Sequence, residues 1–208
     1  MDGRSVKAAA VLLAAGLSRR MGERNKLLIE IDGEPLVRRT AKTYLQAGVE
    51  VYAVLGHEVE LVREALAGLP VSCVENPEYE EGQPSSVRAG VDSLGGAYDA
   101  ILIALADQPA LTPGDVSDLI RAFSESGGGR IVIPYCGERR GNPAVFPAAI
   151  VAKIRAAGRY AAYRGFIDKH PELTFRYQAA NDHYAIDIDT PEDLAAFQPD
   201  PKRAQHRK

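Results

Sequence analysis

The sequence predicts an α/β domain whose mostly parallel sheet is covered by helices on both faces, giving three layers. Short apolar segments alternate along the chain with segments in which apolar residues recur at helical spacing. Strands separated by helices in this way form parallel sheets, because each crossover returns the chain to the same edge. The 208 residues, 46% of them hydrophobic, suffice for one domain core. We expect this single domain to span residues 1–197, followed by a flexible tail over residues 198–208.

The first elements are assigned from apolar runs and from the residues that end them. Ala8–Leu13 is a short apolar run, typical of a central strand. Apolar residues recur at helical spacing in Pro35–Ala47, and Gly48 follows as a helix stop signal. Val49–Leu55 then predicts a second strand, and Glu58–Ala67 predicts a second helix with an apolar face.

The same alternation continues to the end of the domain. The helix beginning near Pro113 follows Thr112, a typical N-cap residue, and the last helix follows Thr190 in the same way. The remaining strands are Pro70–Val74, Ala100–Ala104, Arg130–Pro134, Thr174–Tyr177 and Tyr184–Ile188. The remaining helices are Ser85–Leu94, Pro113–Phe123, Pro147–Ile154, Tyr160–Lys169 and Pro191–Phe197.

Composition argues against several classes of protein. The formal net charge of −3 provides no global basic field to attract nucleic acid. Cys73 and Cys136 form no CxxC pair, so a disulfide framework or zinc site is not expected, and a reducing cytoplasm fits. The polar start lacks a secretory signal, and no stretch approaches the roughly 18–20 apolar residues of a membrane span. We therefore expect a cytoplasmic protein that binds neither nucleic acid nor membranes.

The loop after the first strand is the strongest candidate anion site. It carries Gly16 and Gly22 together with the cations Arg19, Arg20 and Lys26. Glycines let the backbone approach a ligand, free N–H groups in such loops bind anions, and cations neutralise phosphate oxygens. The spacing differs from a Walker A motif and from a dinucleotide-binding fingerprint. We interpret the loop as a triphosphate site; the alternative is a solvated basic loop that merely connects strand and helix.

Acidic residues further along the chain are candidate metal ligands. Asp107 follows an apolar strand, and Asp187 and Asp189 alternate in a second acidic segment. On a strand these two would point to the same side, so one of them could join Asp107 in holding Mg²⁺. Alternatively, Asp107 only caps the turn before Pro109, and the second segment only caps the last helix.

Two further segments could contact substrates. Gln83, Ser85 and Ser86 lie where a helix opens, and amide and hydroxyl groups there can read a base edge or a ribose. Ser85 could instead be only an N-cap. Gly141-Asn142-Pro143 forms a tight turn after two arginines, which either contacts a second substrate or only connects strands.

Taken together, these motifs resemble those of the MobA-like nucleotidyltransferases. The resemblance covers approximately Lys7 to Phe197 and implies a Rossmann-like nucleotide-diphospho-sugar transferase fold. It also implies magnesium-dependent transfer of a nucleoside monophosphate. The matching segments, in the family's order, are Leu13-Ala14-Ala15-Gly16-Leu17-Ser18-Arg19-Arg20-Met21-Gly22, Asn25-Lys26-Leu27-Leu28, Gly82-Gln83-Pro84-Ser85-Ser86-Val87-Arg88-Ala89-Gly90, Ala106-Asp107-Gln108-Pro109, Arg140-Gly141-Asn142-Pro143 and Asp187-Ile188-Asp189-Thr190-Pro191-Glu192-Asp193-Leu194.

The resemblance also implies roles for individual residues. Arg20 and Lys26 would neutralise the triphosphate oxygens and, with Asp107, form the catalytic set. Mg²⁺ would be held by Asp107 and Asp189. The acceptor would be bound by Gly141, Asn142 and Pro143. The nucleotide would be bound by Leu13, Ala14, Ala15, Gly16, Ser18, Arg19, Gly22, Gly82, Gln83, Ser85 and Ser86.

Two positions resemble the cytidylyl-transferring branch of the family. Ala15 and Asn25 stand where the guanylyl-transferring relatives usually have glycine and aspartate. The implied reaction transfers CMP from CTP to the terminal phosphate of a molybdopterin cofactor and releases pyrophosphate, with a molybdoenzyme or its maturation factor as a further partner. The segment Gly158–Lys169 matches the family's acceptor segment only loosely.

Three alternatives to this reaction remain open. The first is guanylyl transfer to the same cofactor. The second is nucleotidyl transfer from another NTP to a sugar phosphate or other small phosphate ester, because one fold serves many acceptors. The third belongs to a different class, a cofactor-carrying chaperone of a molybdoenzyme that catalyses no transfer.

Overall fold

The computed structural model describes residues 5–22, 24–156, 158 and 163–197. The expected tail over residues 198–208 and the first three residues of the helix predicted from Tyr160 lie outside these ranges. The strands are β1 (Ala8–Ala14), β2 (Glu30–Ile31), β3 (Glu34–Pro35), β4 (Glu50–Leu55), β5 (Val71–Glu75), β6 (Ala100–Leu105), β7 (Ile131–Cys136), β8 (Arg139–Arg140), β9 (Ala144–Pro147) and β10 (Thr174–Gln178). The helices are α1 (Leu36–Gln46), α2 (Val59–Ala65), α3 (Gln83–Asp92), α4 (Pro113–Glu125), α5 (Ala148–Ala156), α6 (Tyr163–Lys169) and α7 (Pro191–Phe197).

The main sheet has eight strands, and most of its pairs are parallel, as predicted. Its order is β10-β7-β9-β6-β1-β4-β5, with β8 paired to the end of β7. Strand β1 lies between β4 and β6, and Leu13 pairs in register with Val54 on one side and Leu105 on the other. Strands β8 and β9 run antiparallel to their neighbours. The sequence did not predict these two strands, because both are short and β9 ends on Pro147.

Apolar side chains cover both faces of the sheet, which confirms the three-layer architecture. Alternate residues of β1 enter different clusters: Leu12 packs with α1 and α4, whereas Val11 packs with α3 and α5. Both side chains are fully buried. Because a central parallel strand is covered on both faces, its sequence is a continuous apolar run rather than an alternation of apolar and polar residues.

Helix α3 lies unusually close to the sheet at Gly90. A Cβ atom at that position would lie 2.3 Å from Cγ1 of Val11 and 2.7 Å from Cγ2 of Val54. Only glycine permits this approach. The close contact fixes α3, and with it the residues at its N-terminus, against β1 and β4.

The predicted strand Tyr184–Ile188 is wrong. A short 3-10 helix, His183–Ala185, occupies its beginning, and an irregular segment follows. The carbonyl of Tyr184 accepts hydrogen bonds from Asn142 N and Gln108 Nε2, and Ile188 N donates to Asp107 O. These backbone groups are therefore paired with loops instead of with a neighbouring strand. Asp187 and Asp189 consequently do not share the side of a strand, contrary to the prediction.

None of the helices in the described ranges is both long enough and apolar enough to cross a membrane. The carboxyl ends of β1 and β6 lie side by side at one edge of the sheet, since Leu13 and Leu105 are paired there. The loop carrying Lys26 leaves β1 at this edge, and the loop carrying Asp107 leaves β6 next to it. Ligands of open α/β sheets bind in such crevices.

Candidate active site

The loop after β1 folds back on itself and presents Lys26. Ser18 adopts a left-handed conformation, with a φ of 51°, and its carbonyl accepts a hydrogen bond from Met21 N at 2.8 Å. Its side-chain oxygen accepts a hydrogen bond from Lys26 N at 3.2 Å. Buried Asn25 caps the next 3-10 turn by accepting from Leu27 N at 3.0 Å. Ser18 and Asn25 therefore position the loop that carries Lys26.

Four charged residues from distant parts of the chain meet beside this loop. The ammonium of Lys26 donates to Asp107 Oδ2 at 2.5 Å and to Asp189 Oδ1 at 2.7 Å. Arg20 Nη2 donates to Asp189 Oδ2 at 2.8 Å. The side chains of Lys26 and Asp107 are only 12% and 13% exposed, whereas Arg20 is 68% exposed. The predicted convergence of early cations and late carboxylates is therefore present in the structure.

The local charges shift the pKa values of this cluster. Burial lowers the pKa of Lys26, but the charges and hydrogen bonds of Asp107 and Asp189 outweigh it and raise that pKa overall. Burial raises the pKa of Asp189, yet Lys26 and Arg20 bring it below its ordinary value. The pKa of Asp187 is raised by burial and by its two carboxylate neighbours. The cluster thus holds a charged ammonium against two carboxylates.

A cavity of about 400 Å³ opens beside the cluster, and we call it the first cavity. It lies between the loop after β1, the N-terminus of α3 and the end of β6. Both Lys26 and Asp107 line it. Its other lining residues are Leu13, Ala15, Gly16, Leu17, Arg19, Leu27, Tyr79, Glu80, Gly82, Gln83, Ser86 and Leu105.

Seven of the eleven predicted nucleotide-binding residues line this cavity, whereas Ala14, Ser18, Gly22 and Ser85 do not. Ala14 is buried in the core, and Gly22 is exposed outside the cavity. Ser85 Oγ accepts from Asn76 Nδ2 at 2.9 Å and contacts the carbonyls of Glu78 and Gly82 at 2.8 Å. Ser85 therefore holds the loop before α3. It is not the N-cap, because Gly82 occupies that position.

Tyr79 and Glu80 line the first cavity but were not identified from the sequence. They belong to a short 3-10 helix, Tyr79–Glu81, in a loop without a recognisable motif. The side chain of Tyr79 packs so closely on Gly56 that a Cβ atom there would lie 2.5 Å from Tyr79 Cβ and 2.8 Å from Ala15 Cβ. Gly56 therefore allows Tyr79 and Ala15 to form one wall of the cavity.

A second cavity, of about 240 Å³, adjoins the first. Gln83 and Leu105 line both, so the two cavities share a wall. Gly141 and Asn142, predicted to bind an acceptor, line the second cavity, whereas Pro143 does not. The other lining residues are Pro84, Val87, Ile103, Arg140, Ala144, Phe146, Tyr163, Arg164 and Ile167.

The turn at Gly141 is fixed by the segment that leads to Asp189. A Cβ atom at Gly141 would lie 2.6 Å from Tyr184 O, so the close approach requires glycine. Gly141 N donates to Pro134 O, and Asn142 N donates to Tyr184 O, both at 2.8 Å. Tyr184 therefore joins the wall of the second cavity to the acidic segment.

The acidic residues of the site fit a hard cation. Oδ1 of Asp107 is buried and has no hydrogen-bond partner within the described ranges, so an acceptor oxygen remains free. The same ranges contain no group of three or more His, Cys, Asp or Glu residues arranged to hold a metal. Two carboxylates with phosphate oxygens and water are, however, the donor set that Mg²⁺ prefers.

The acidic segment after Asp189 has the predicted capping role. Oδ2 of Asp193 accepts from Thr190 N at 2.8 Å and from Asp189 N at 3.1 Å. Asp193 N donates back to Thr190 Oγ1 at 3.2 Å. This capping box begins α7 and holds the backbone of Asp189. The carboxylate of Asp189 meanwhile accepts a hydrogen bond from Lys26.

Comparisons with known proteins identify relatives in both sequence and structure. A profile of the MobA-like NTP transferase domain matches residues 10–173. Nicotine blue oxidoreductase of Paenarthrobacter nicotinovorans is 31% identical over 198 residues, covering 88% of this chain and 93% of that protein. Molybdenum cofactor guanylyltransferase of Cereibacter sphaeroides is 31% identical over 194 residues, covering 89% and 92% respectively.

Among solved structures, a nucleotidyl transferase of Methanothermobacter thermautotroptrophicus is similar, with a TM-score of 0.77 at 25% identity. The similarity covers 94% of this chain and 97% of that chain. The predicted Rossmann-like nucleotide-diphospho-sugar transferase fold is thereby confirmed. The chain belongs to the family of MobA-like NTP transferase domains.

Proposed function

We propose that this protein transfers CMP from CTP to the terminal phosphate of a molybdopterin cofactor and releases pyrophosphate. The observation that carries the proposal is the pair of adjoining cavities, with Lys26 and Asp107 in the first and a shared wall at Gln83 and Leu105. Such a pair offers room for two substrates whose reacting groups must meet. The similarity to a molybdenum cofactor guanylyltransferase supports the choice of acceptor.

The reaction is a substitution at the α-phosphorus of CTP. An oxygen of the acceptor phosphate forms the new bond to phosphorus, and the bond to the β-phosphate oxygen breaks with its electron pair leaving on pyrophosphate. The attacking phosphate is already anionic, so no strong general base is required. Catalysis then depends mainly on positioning and on neutralising charge, which Arg19, Lys26 and Arg20 can provide.

Mg²⁺ would be held by Asp107 and Asp189, with Asp187 as the alternative second ligand. When bound, Mg²⁺ would stabilise the negative charge that develops on the leaving pyrophosphate. Lys26 now bridges Asp107 and Asp189. If Asp107 and Asp189 held a metal ion, the Lys26 ammonium would be free to donate to the triphosphate instead.

The choice of CTP over GTP is supported by Ala15. Ala15 lines the first cavity together with Tyr79, and it is only 6% exposed. A glycine at this position would widen the cavity, whereas alanine narrows it, which favours the smaller pyrimidine base. Substitution Ala15→Gly should therefore improve the use of GTP relative to CTP.

The experiment is a transfer assay with α-³²P-labelled CTP and, separately, α-³²P-labelled GTP in the presence of molybdopterin cofactor and Mg²⁺. We expect label on the cofactor from CTP and much less from GTP. Label from GTP alone would replace the proposal with guanylyl transfer. Label on a sugar phosphate but not on the cofactor would show that the acceptor is a sugar phosphate and not molybdopterin. Stable binding of the cofactor without any transfer would instead support a carrier that delivers it to a molybdoenzyme or its maturation factor.

An oxidoreductase is the second candidate, favoured by the similarity to nicotine blue oxidoreductase over nearly the whole chain. The same cavities would then bind an electron donor and the substrate that it reduces. A redox assay with nicotine blue and NADH or NADPH separates the two candidates. Substrate reduction that is independent of Mg²⁺ and CTP would support the oxidoreductase and contradict nucleotidyl transfer.

A further inference from the structure

Helix α1 packs against the loop that carries Asp107 and contacts its backbone at two points. Oγ1 of Thr40 lies 3.1 Å from the carbonyl oxygen of Ala106, the residue that precedes Asp107. Oγ1 of Thr43 lies 3.3 Å from the carbonyl oxygen of Leu111, at the far end of the same loop. The first of these contacts fixes the peptide bond that leads into Asp107.

One turn after Thr40, the same helix carries a buried hydroxyl that has no partner. Tyr44 is fully buried, and its Oη atom forms no hydrogen bond with any residue that the structure describes. Residues one turn apart share a face of a helix, and aromatic side chains of a helix point back toward its N-terminus. The hydroxyl of Tyr44 should therefore extend toward the turn at Thr40, which contacts the Asp107 loop.

Two further observations place Tyr44 within reach of Asp107. Tyr44 belongs to the same buried cluster as Leu27 and Ala106, which are the sequence neighbours of Lys26 and Asp107. Burial raises the pKa of the Tyr44 hydroxyl, and the negative charge of Asp107 raises it further. The buried Oδ1 atom of Asp107 also lacks a hydrogen-bond partner in the described part of the chain. An unpaired donor and an unpaired acceptor thus occupy the same buried region.

The unpaired hydroxyl of Tyr44 does not benefit the fold. A buried polar group without a partner loses its hydrogen bonds to water and gains none in return, which lowers stability. Most buried polar groups in folded proteins are paired for this reason, so an exception calls for an explanation. A phenylalanine would fill the same space without that cost, which indicates that the hydroxyl serves the neighbouring site.

We propose that Thr40 and Tyr44 are positioning residues for Asp107: Thr40 fixes its peptide bond, and the Tyr44 hydroxyl donates a hydrogen bond to Oδ1 when Asp107 binds a divalent cation. The proposal deepens the proposed function and rests on it for the role of Asp107 as a metal ligand. Hydrogen bonds to a ligating side chain orient it toward the metal, and their loss typically weakens metal binding by about 10- to 100-fold.

The test is the binding of Mn²⁺ alone, followed through the EPR signal of the free ion, so that neither CTP nor an acceptor is needed. Asp107→Asn should remove most of the binding and sets the scale. Tyr44→Phe should weaken Mn²⁺ binding by about tenfold or more. The same variant should be as stable as the wild type or more stable in urea denaturation, because the substitution removes an unpaired hydroxyl.

The matched control is Tyr52→Phe, which removes a buried hydroxyl that is paired. Oη of Tyr52 lies 2.9 Å from Oη of Tyr98 and accepts a hydrogen bond from Gly95 N at 3.1 Å. This variant should be less stable than the wild type, because it leaves partners unpaired, and should bind Mn²⁺ with wild-type affinity. The two tyrosine variants are therefore expected to show opposite patterns of stability and metal binding.

The threonines provide a second matched pair. Thr40→Val should weaken Mn²⁺ binding by about tenfold or more, and Thr40→Ser should restore it, since serine keeps the hydroxyl. Thr43→Val removes the corresponding contact to Leu111, at the other end of the loop, and should leave Mn²⁺ binding unchanged. Both valine variants should lose similar stability, so a difference in Mn²⁺ affinity reports on Asp107 rather than on the fold.

The proposal would be overturned by unchanged Mn²⁺ affinity in either Tyr44→Phe or Thr40→Val. Equal losses of Mn²⁺ affinity in Thr40→Val and Thr43→Val would also overturn it, as would a wild-type protein that does not bind Mn²⁺.

The outcomes separate this proposal from the proposed function. Weaker Mn²⁺ binding in Tyr44→Phe and Thr40→Val, together with no transfer of CMP by the wild-type protein, would keep the positioning residues and reject the reaction. Transfer of CMP with a wild-type Mg²⁺ requirement in both variants would reject the positioning residues and keep the reaction.

Discussion

The ammonium of Lys26 illustrates how one residue can join distant parts of this chain. It contacts carboxylates that lie 81 and 163 residues further along the sequence. Its backbone is held by Ser18, and its side chain is nearly buried. Because water is largely excluded there, its charge acts more strongly on a bound triphosphate than a surface lysine would.

We predict that Lys26→Ala reduces turnover by on the order of 10²-fold or more, because a preorganised contact to developing negative charge is lost. The measurement is pyrophosphate release with saturating CTP, acceptor and Mg²⁺. Lys153→Ala, an exposed lysine of α5, is the matched control and should retain wild-type turnover. Near-wild-type turnover in a folded Lys26→Ala variant would contradict the proposed mechanism.

We predict a loss of similar size, on the order of 10²-fold or more, for Asp107→Ala, because this substitution removes a carboxylate proposed to hold Mg²⁺. The same pyrophosphate assay should be repeated over a range of Mg²⁺ concentrations. A higher Mg²⁺ requirement in the variant supports a role in metal binding. Unchanged turnover and an unchanged Mg²⁺ requirement would argue that Asp107 only caps its turn.

At the scale of elements, helix α4 begins with a side-chain network that also holds the acidic segment. Asp115 is 5% exposed, and Oδ2 of this residue accepts from Thr112 N at 2.9 Å. It also meets His183 Nδ1 at 2.9 Å, and its Oδ1 atom accepts from Asn181 Nδ2 at 2.9 Å. The network therefore ties α4 to the segment that leads to Asp187 and Asp189.

We predict that Asp115→Ala lowers the free energy of unfolding by about 1–2 kcal/mol at neutral pH. Burial raises the pKa of Asp115, but hydrogen bonds from Thr112, Asn181 and His183 outweigh it and lower that pKa overall. A carboxylate whose pKa is lowered in the folded state stabilises the fold fully at pH values above its pKa in the unfolded chain, which is about 4. This stabilisation is lost as the pH falls below that value. The difference between wild type and variant in urea denaturation should therefore shrink below about pH 4.

The control for this prediction is Asp118→Ala on the same helix, since Asp118 forms an exposed i,i+3 ion pair with Arg121. Its effect on stability should be within about 0.5 kcal/mol. A loss from Asp115→Ala that stays constant down to pH 2 would show that the ionised carboxylate is not what stabilises α4.

We predict that Gly90→Ala destabilises the protein by about 1–3 kcal/mol, because the added methyl would overlap Val11 and Val54 where α3 packs on the sheet. Urea denaturation measures the change. Gly95→Ala is the control, since its added methyl would lie 3.6 Å from Tyr52 Oη, an ordinary contact. Equal stability of the two variants would mean that α3 moves away from β1 without cost.

The sequence patterns of the strands and helices predicted the architecture better than they predicted the details of the site. Apolar strands and helical spacing were enough to predict the order of β1, α1 and β4, and glycine loops at strand ends indicated where the site lies. The irregular segment at Tyr184 was mistaken for a strand because its backbone hydrogen bonds go to loops that are distant in sequence. Tyr79 reaches the first cavity only through tertiary packing, so no local motif identified it, and Arg164 lies in a segment, Gly158–Lys169, that matches the family's acceptor segment only loosely.

At the scale of the whole molecule, the two cavities and their shared wall depend on parallel strands, which bring separate loops to one edge of the sheet.

A nucleotide bound in the first cavity should stabilise the folded state by mass action. We predict that CTP with Mg²⁺, at a hundred times its Kd, adds about 2.7 kcal/mol to the free energy of unfolding. The increment, followed as a shift in Tm, should fall when EDTA removes the metal and should be smaller with GTP. A shift in Tm that stays the same after EDTA is added would argue against metal-assisted binding of CTP.

The most direct measurement of the central claim is a crystal structure of the protein with CTP and Mg²⁺. The account predicts the triphosphate in the first cavity, within hydrogen-bond distance of Lys26, with Mg²⁺ between Asp107 and the phosphate oxygens. A triphosphate bound elsewhere, or a metal ion that leaves Asp107 uncoordinated, would contradict it.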